Sequence, residues 1–188
     1  MRKNLGVNAY MYPMPVLIIA AYDKDGKPDA MNAAWGSISS ADKISMCLSP
    51  GHKTVKNILE TKAFTVSFGD AAHVAECDYV GIVSANDVPD KFERSGMTAS
   101  KAEHVDAPII NEFPLCLECE FIEYQGGEYG CGVIGKVVNV TADDSVLVNG
   151  QLDMSLVNAI AFDTYTHGYY KVTERVGEAF QEGLKLKK

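Results

Sequence analysis

Gly130-Cys131-Gly132-Val133-Ile134-Gly135-Lys136-Val137-Val138-Asn139-Val140-Thr141 is the stretch on which the architecture turns. Its first six residues match the glycine pattern of a dinucleotide-binding turn, which works only where a strand passes into a helix whose N-terminus receives the pyrophosphate. The residues that follow are largely β-branched and favour a strand. The glycines are therefore read as a bulge or close contact in a bent strand, not as a Rossmann turn.

Working outward, Leu115 to Gln125 and Glu128 to Ala142 read as two long strands joined at Gly126-Gly127, a hairpin. Val16 to Tyr22 is a short apolar strand closed by Asp-Lys-Asp-Gly-Lys-Pro; it is too short for a signal-peptide core. Asp29 to Ser39 is expected to return as a second strand of small residues with one large aromatic, Trp35. Ile44, Met46 and Leu48 alternate with polar or small residues, the pattern of a strand with one buried face. Beyond Ser49-Pro50-Gly51, Val55, Ile58 and Leu59 recur at helical spacing, with Thr54 in the position expected of an N-cap. Ala63 to Phe68 is a further strand. Ala71 to Val83 and Pro89 to Ser95 suggest helices, Val146 to Val148, Ala159 to Thr164 and Tyr169 to Val172 short strands, and Glu174 to Leu184 a closing helix. No internal repeat is visible. Hairpins, many strands and few helices favour one mostly antiparallel barrel with helices attached.

The 188 residues suit one domain, and 17 basic against 25 acidic residues give a formal charge of -8. No general positive field exists to collect nucleic acid or anionic lipid. No segment approaches the roughly 20 apolar residues of a membrane span. Five cysteines, at 47, 77, 116, 119 and 131, cannot all pair within one chain and fit a reducing cytoplasm. Cys116 and Cys119 form a C-x-x-C spacing, yet residues three apart on a strand point to opposite faces, so neither a metal site nor a disulfide is expected. Glu118 and Glu120 share one strand face, read as the exposed one. The four histidines are scattered and no nucleophile elbow occurs.

What remains is Ser49-Pro50-Gly51-His52-Lys53-Thr54, between a strand and a helix. A helix N-terminus offers unsatisfied N–H groups and partial positive charge, and the neighbouring hydroxyls and cations add donors for one phosphate. Read plainly, the same residues are an N-cap and a solvated loop. Met31-Asn32-Ala33-Ala34-Trp35 lies just upstream, and a hairpin-like path brings its backbone beside the turn, where a planar heterocycle attached to the phosphate would lie.

These residues resemble the flavin reductase-like proteins with an FMN-binding split barrel, and among them the flavoredoxin type. The resemblance is carried by Met31 to Trp35, Ser49 to Thr54, Cys77-Asp78-Tyr79-Val80-Gly81, Asp90-Lys91-Phe92-Glu93 through Ser95-Gly96, Ala107-Pro108-Ile109-Ile110, and the tail from Tyr169 to Gly183. It implies a six-stranded antiparallel split β-barrel that forms a homodimer and binds FMN noncovalently near the subunit interface. By position, Asn32, Ala33, Ala34 and Trp35 would lie along the isoalloxazine, and Ser49, His52, Lys53 and Thr54 would hold the phosphate. Ser84 would follow on the nearby helical segment, and Tyr169 or Tyr170 would close the pocket, Tyr170 being taken as the site residue. Cys77 is read as packing. The resemblance further implies either a reductase taking hydride from NADH or NADPH to free flavin or another acceptor, or an electron carrier between protein partners such as iron–sulfur proteins.

Overall fold

The computed structural model describes residues 1–127 and 132–187. Glu128, Gly130 and Cys131, which open the second long strand and the glycine pattern expected from the sequence, lie outside the described residues. The elements in order are β1 (Met14–Pro15), β2 (Leu17–Tyr22), β3 (Pro28–Ala33), β4 (Gly36–Ser40), β5 (Lys43–Met46), α1 (Lys53–Thr61), β6 (Ala63–Phe68), α2 (Val74–Ile82) and α3 (Lys91–Arg94). After them come β7 (Ala99–Lys101), β8 (Pro108–Ile110), β9 (Leu115–Gln125), β10 (Gly132–Ala142), β11 (Leu147–Val148), β12 (Gln151–Leu152), α4 (Met154–Val157), β13 (Ile160–Phe162) and β14 (Tyr169–Lys171).

Seven strands form one antiparallel sheet in the order β3-β2-β6-β9-β10-β5-β4. Its two edges, β3 and β4, are separated in sequence by Ala34 and Trp35 alone, so the sheet has to curl until the edges approach each other. The result is a split barrel, mostly β with attached helices. The count is seven rather than six because the expected strand from Asp29 to Ser39 breaks in the middle. There the Gly36 N–H turns back to the Ala34 carbonyl at 3.1 Å, and the Cys47 N–H takes the Trp35 carbonyl at 2.7 Å.

β2 is buried on both faces, which explains why it reads as a continuous apolar run rather than an alternating one. Leu17, Ile19 and Ala21 face the barrel interior with Met46, Val55, Ile58, Phe64, Val66 and Val133. Val16, Ile18 and Ala20 face an outer layer built by Cys77 and Val80 of α2, Phe92 of α3, and Ile110. The second and third glycines of the false fingerprint have steric roles. Gly132 takes φ +73° with backbone of Met46 and Leu48 within 2.6 Å of where a Cβ would stand, and a Cβ at Gly135 would lie 2.3 Å from the Phe64 ring.

Other expectations are corrected. Thr54 is not the N-cap: α1 begins at Lys53 with His52 in the capping position. The Thr54 hydroxyl is instead used by Asp29, as described below. Val146 ends a short 3-10 turn, and Leu147–Val148 pairs with Gln151–Leu152. Between them Asn149 and Gly150 both take positive φ, the conformation of a tight hairpin. No α-helix spans Glu174 to Leu184; the tail holds only a 3-10 stretch at Glu182–Leu186, with Val176 and Phe180 over 90% exposed. A short amphipathic helix draws its stability from a buried face, and among the described residues this segment buries none of its side chains.

The Glu118 side chain is fully buried, not exposed. The segment around His104 covers it: the carboxylate accepts the His104 N–H at 2.7 Å and the Asn139 amide at 2.8 Å. Burial pushes its pKa up, but the bonds from Asn139 and His104 outweigh burial and leave it below the ordinary value. A carboxylate lowered in this way stabilises the fold above its unfolded pKa, and that contribution disappears as pH falls through the folded one. Glu118→Gln is therefore expected to cost about 1–3 kcal/mol at neutral pH and to flatten the acid limb of the stability curve, read by urea unfolding between pH 7 and pH 3. An acid limb as steep as that of the wild type would remove Glu118 as its source. Glu120, on the same strand face, is exposed as expected.

Candidate functional site

The break between β3 and β4 leaves a slot beside the strand edge. Met31 to Trp35 form one wall, Cys47, Leu48 and His52 a second, Asp78, Gly81 and Ile82 of α2 a third, and Phe162 and Tyr169 close the end. The slot holds about 300 Å³ and is walled mainly by apolar atoms. A second, more apolar groove of about 530 Å³ adjoins it, sharing Trp35 and Cys47 and reaching Met11, Met14 and Ile38. The walls suit a flat ring because they are short: Ala33 and Ala34 carry single methyl groups, and a Cβ at Gly81 would already stand 3.1 Å from that of Asn32. The Asn32 side chain is fixed by donating to the Cys77 carbonyl at 3.0 Å.

At the His52 end of the slot the chain turns into α1. The turn is internally braced: the Gly51 N–H donates to Ser49 Oγ at 3.2 Å, and the His52 N–H to the Ser49 carbonyl at 3.2 Å. The first N–H groups of α1, on Lys53, Thr54 and Val55, have no carbonyl one turn earlier within the helix. The Lys53 ammonium folds back onto the Asn57 amide oxygen. Thr54 is buried, and its hydroxyl donates to Asp29 Oδ2 at 2.6 Å. The His52 imidazole is held below its ordinary pKa, first by burial and then by the positive charge of Lys91. At neutral pH it is therefore an uncharged donor or acceptor.

Ser84 reaches the turn through Asn86, whose side-chain amide donates to Ser84 Oγ and to the Gly51 carbonyl, each at 3.0 Å. Lys56 in turn donates to the Asn86 side-chain oxygen at 2.8 Å. Asn32, Ala33, Ala34, Trp35 and His52 thus share the slot, Ser49, Lys53 and Thr54 stand at its turn, and Ser84 is tied to that turn. The structure does not bring Tyr170 to the slot. Alternate residues of β14 face opposite ways: Tyr169 lines the slot and donates to Asp78 Oδ1 at 2.9 Å, while Tyr170 packs against Tyr12 at 5.6 Å between ring centroids. Burial, then Asp78, pushes the Tyr169 hydroxyl up to about 12.

Asn86 and Phe162 escape the sequence reading, and Asp78 and Gly81 enter it only within the stretch Cys77 to Gly81 that carries the resemblance, with no place at the site. Asp78 and Gly81 are three apart on α2, so helical spacing would have placed both on one face. Asn86 and Phe162 carry no such local signal. Cys77 packs behind the slot wall, fully buried, its thiol pushed up to about 12 by burial and then by Asp70. Cys116 and Cys119 are also buried, Cys119 inside the barrel, with thiols pushed up to about 11 and about 12. Cys77, Cys116 and Cys119 should resist iodoacetamide in the native protein at pH 8 and react once it is denatured, read by peptide mapping. Native alkylation of Cys77 would show that α2 opens. Among the described residues no group of three metal-ligating side chains occurs, and no helix is long and apolar enough to cross a membrane.

Residues 9–158 match the family model described as a flavin reductase like domain. The fold is similar to a flavoredoxin of Desulfovibrio vulgaris (Miyazaki F), with 35% identity and a TM-score of 0.90 over 97% of this chain and 100% of that one. A flavoredoxin from Methanosarcina acetivorans shares 25% identity with a TM-score of 0.87, covering 98% of this chain and all of that one. An FMN-binding protein from Thermus thermophilus, at 19% identity and a TM-score of 0.77 over 95% of this chain and 99% of that one, shares the fold. Two curated relatives bear the description "Uncharacterized protein". The Aeropyrum pernix protein is 25% identical over 64% of this chain, which spans 48% of that relative's length. The Aquifex aeolicus protein is 22% identical, with 72% of each chain covered.

Proposed function

Because the chain belongs to the flavin reductase-like family, we propose that it binds FMN noncovalently beside Trp35 and serves as a flavin-dependent oxidoreductase, with NADH or NADPH as donor and free flavin or another small acceptor as recipient. The observation that carries this reading is the juxtaposition of a flat, short-walled slot with a helix-opening turn at its end. Bound FMN supplies reversible hydride acceptance, which no side chain of this protein offers. The chain's part is to bind and to orient. Asn32 to Trp35 take the ring edge and face, while the first N–H groups of α1, that of Thr54 among them, take the phosphate with Ser49 and Lys53, and the Thr54 hydroxyl stays on Asp29. Asn86 holds Gly51 and Ser84 in place around them. His52, uncharged, contributes a hydrogen bond without adding charge. Tyr169, held by Asp78, closes the far end and keeps water from that wall.

The apolar groove beyond Trp35 and the exposed arms at both ends suit a second copy of the chain, so the functional unit is proposed to be a homodimer, checked by sedimentation. A carrier reading has its own support, the 35% identity to a flavoredoxin over nearly the whole chain. In that case the acceptor is a protein, and the net charge of -8 would steer a basic docking face such as that of an iron–sulfur partner.

Purified protein decides between them. It should be yellow, and heating should release FMN rather than FAD or riboflavin. A colourless, folded protein that takes up no FMN overturns the cofactor assignment. Stoichiometric bleaching by NADH or NADPH, followed by turnover with free flavin, supports the reductase. Negligible bleaching by either nucleotide leaves the carrier.

A further inference from the structure

Lys91 is among the most buried charged residues of the chain, 2% exposed, at the first position of α3. A lysine is taken out of water only with a partner. Its partner is Asp29 of β3, itself 5% exposed, with the ammonium 3.2 Å from Oδ1. The other carboxylate oxygen accepts the Thr54 hydroxyl at 2.6 Å. Oδ1 has no aligned hydrogen bond, so the lysine acts on it chiefly as a charge. Three elements therefore meet at one carboxylate: β3, whose other end forms the slot wall; α1, whose first turn Thr54 belongs to; and α3, which brings the cation.

A buried carboxylate is a poor neighbour for an anion site. Asp29 anchors the turn through Thr54, but alone it would place a full negative charge in low dielectric behind the N–H groups meant for a phosphate. We propose that Lys91 is a positioning residue for the phosphate end of the flavin: its charge cancels that of Asp29, so the carboxylate can anchor Thr54 without repelling the anion. The inference deepens the FMN reading above and rests on it. The reach of the lysine's field to the turn is visible at His52, whose imidazole it helps to keep neutral.

The test compares FMN with riboflavin, which has the same ring and no phosphate. Dissociation constants for both are measured by flavin fluorescence on purified protein, with circular dichroism as the check on folding. Lys91→Met should weaken FMN about tenfold or more and leave riboflavin within about twofold. Asp29→Asn combined with Lys91→Met keeps an acceptor for Thr54 and leaves no unpaired charge, so the preference for FMN should return to within about threefold of the wild type. An unchanged preference in Lys91→Met, an equal loss of both flavins, or no recovery in the double variant overturns the proposal. Should Lys91→Met not fold, the double variant decides alone: a retained preference supports charge cancellation and a lost one overturns it. A wild type that binds riboflavin as tightly as FMN would instead remove the phosphate assignment, a separate failure.

Discussion

Lys53→Ala combined with Thr54→Ala is expected to weaken FMN binding by about 2–4 kcal/mol, roughly 30- to 900-fold, with riboflavin binding far less affected. Two losses combine. The first removes the cation that stands at the opening of α1. The second takes the hydroxyl away from Asp29 Oδ2, leaving a buried carboxylate short of its donor directly beneath the turn. The backbone N–H groups survive both changes, which is why some affinity should remain. Quenching of flavin fluorescence on titration reads both constants, and an FMN affinity equal to that of the wild type would detach the phosphate from residues 49 to 54.

The largest stability effects are expected where β10 crosses the barrel core. Phe64 is fully buried, and Phe64→Ala should cost about 3–5 kcal/mol by opening a cavity. Gly135 is the residue that makes room for this ring, since a Cβ there would come within 2.3 Å of it. Gly135→Ala should therefore cost about 2–3 kcal/mol through overpacking. The two changes are complementary in shape: the new methyl enters space that the ring has left. The double variant should be more stable than the sum of the single losses predicts, with a coupling of about 1–3 kcal/mol in urea unfolding. Strict additivity would mean that Gly135 is needed for some reason other than this ring.

The same pair shows what could be read without coordinates. The β-branched run after Gly135 was enough to reject a dinucleotide turn, but nothing local says that the third glycine faces Phe64, because that meeting depends on strands far apart in the chain. The site divides in a similar way. Asn32 to Trp35 and Ser49 to Thr54 stand out by composition and by their place before a strand break and a helix. Tyr169 and Tyr170 do not separate by composition; only the register of β14 turns one to the slot and the other to Tyr12. The tail from Glu174 shows the limit of periodicity, since a helical pattern becomes a helix only where a surface receives its apolar face. Glu118 shows the opposite error. Its strand parity was read correctly as outward, and the covering segment from His104 could not be foreseen.

Sequence by itself determined the strand class, the short first helix, the turn that opens it and the small-residue ribbon beside that turn, because propensity, turn chemistry and side-chain size are local properties. Tertiary structure alone decided which charges share the interior. Lys91 and Asp29 are separated by some sixty positions, and each would be placed on the surface by its own chemistry. Only the packing of α3 and α1 on β3 makes their burial as a pair cost less than exposure of the apolar core around them.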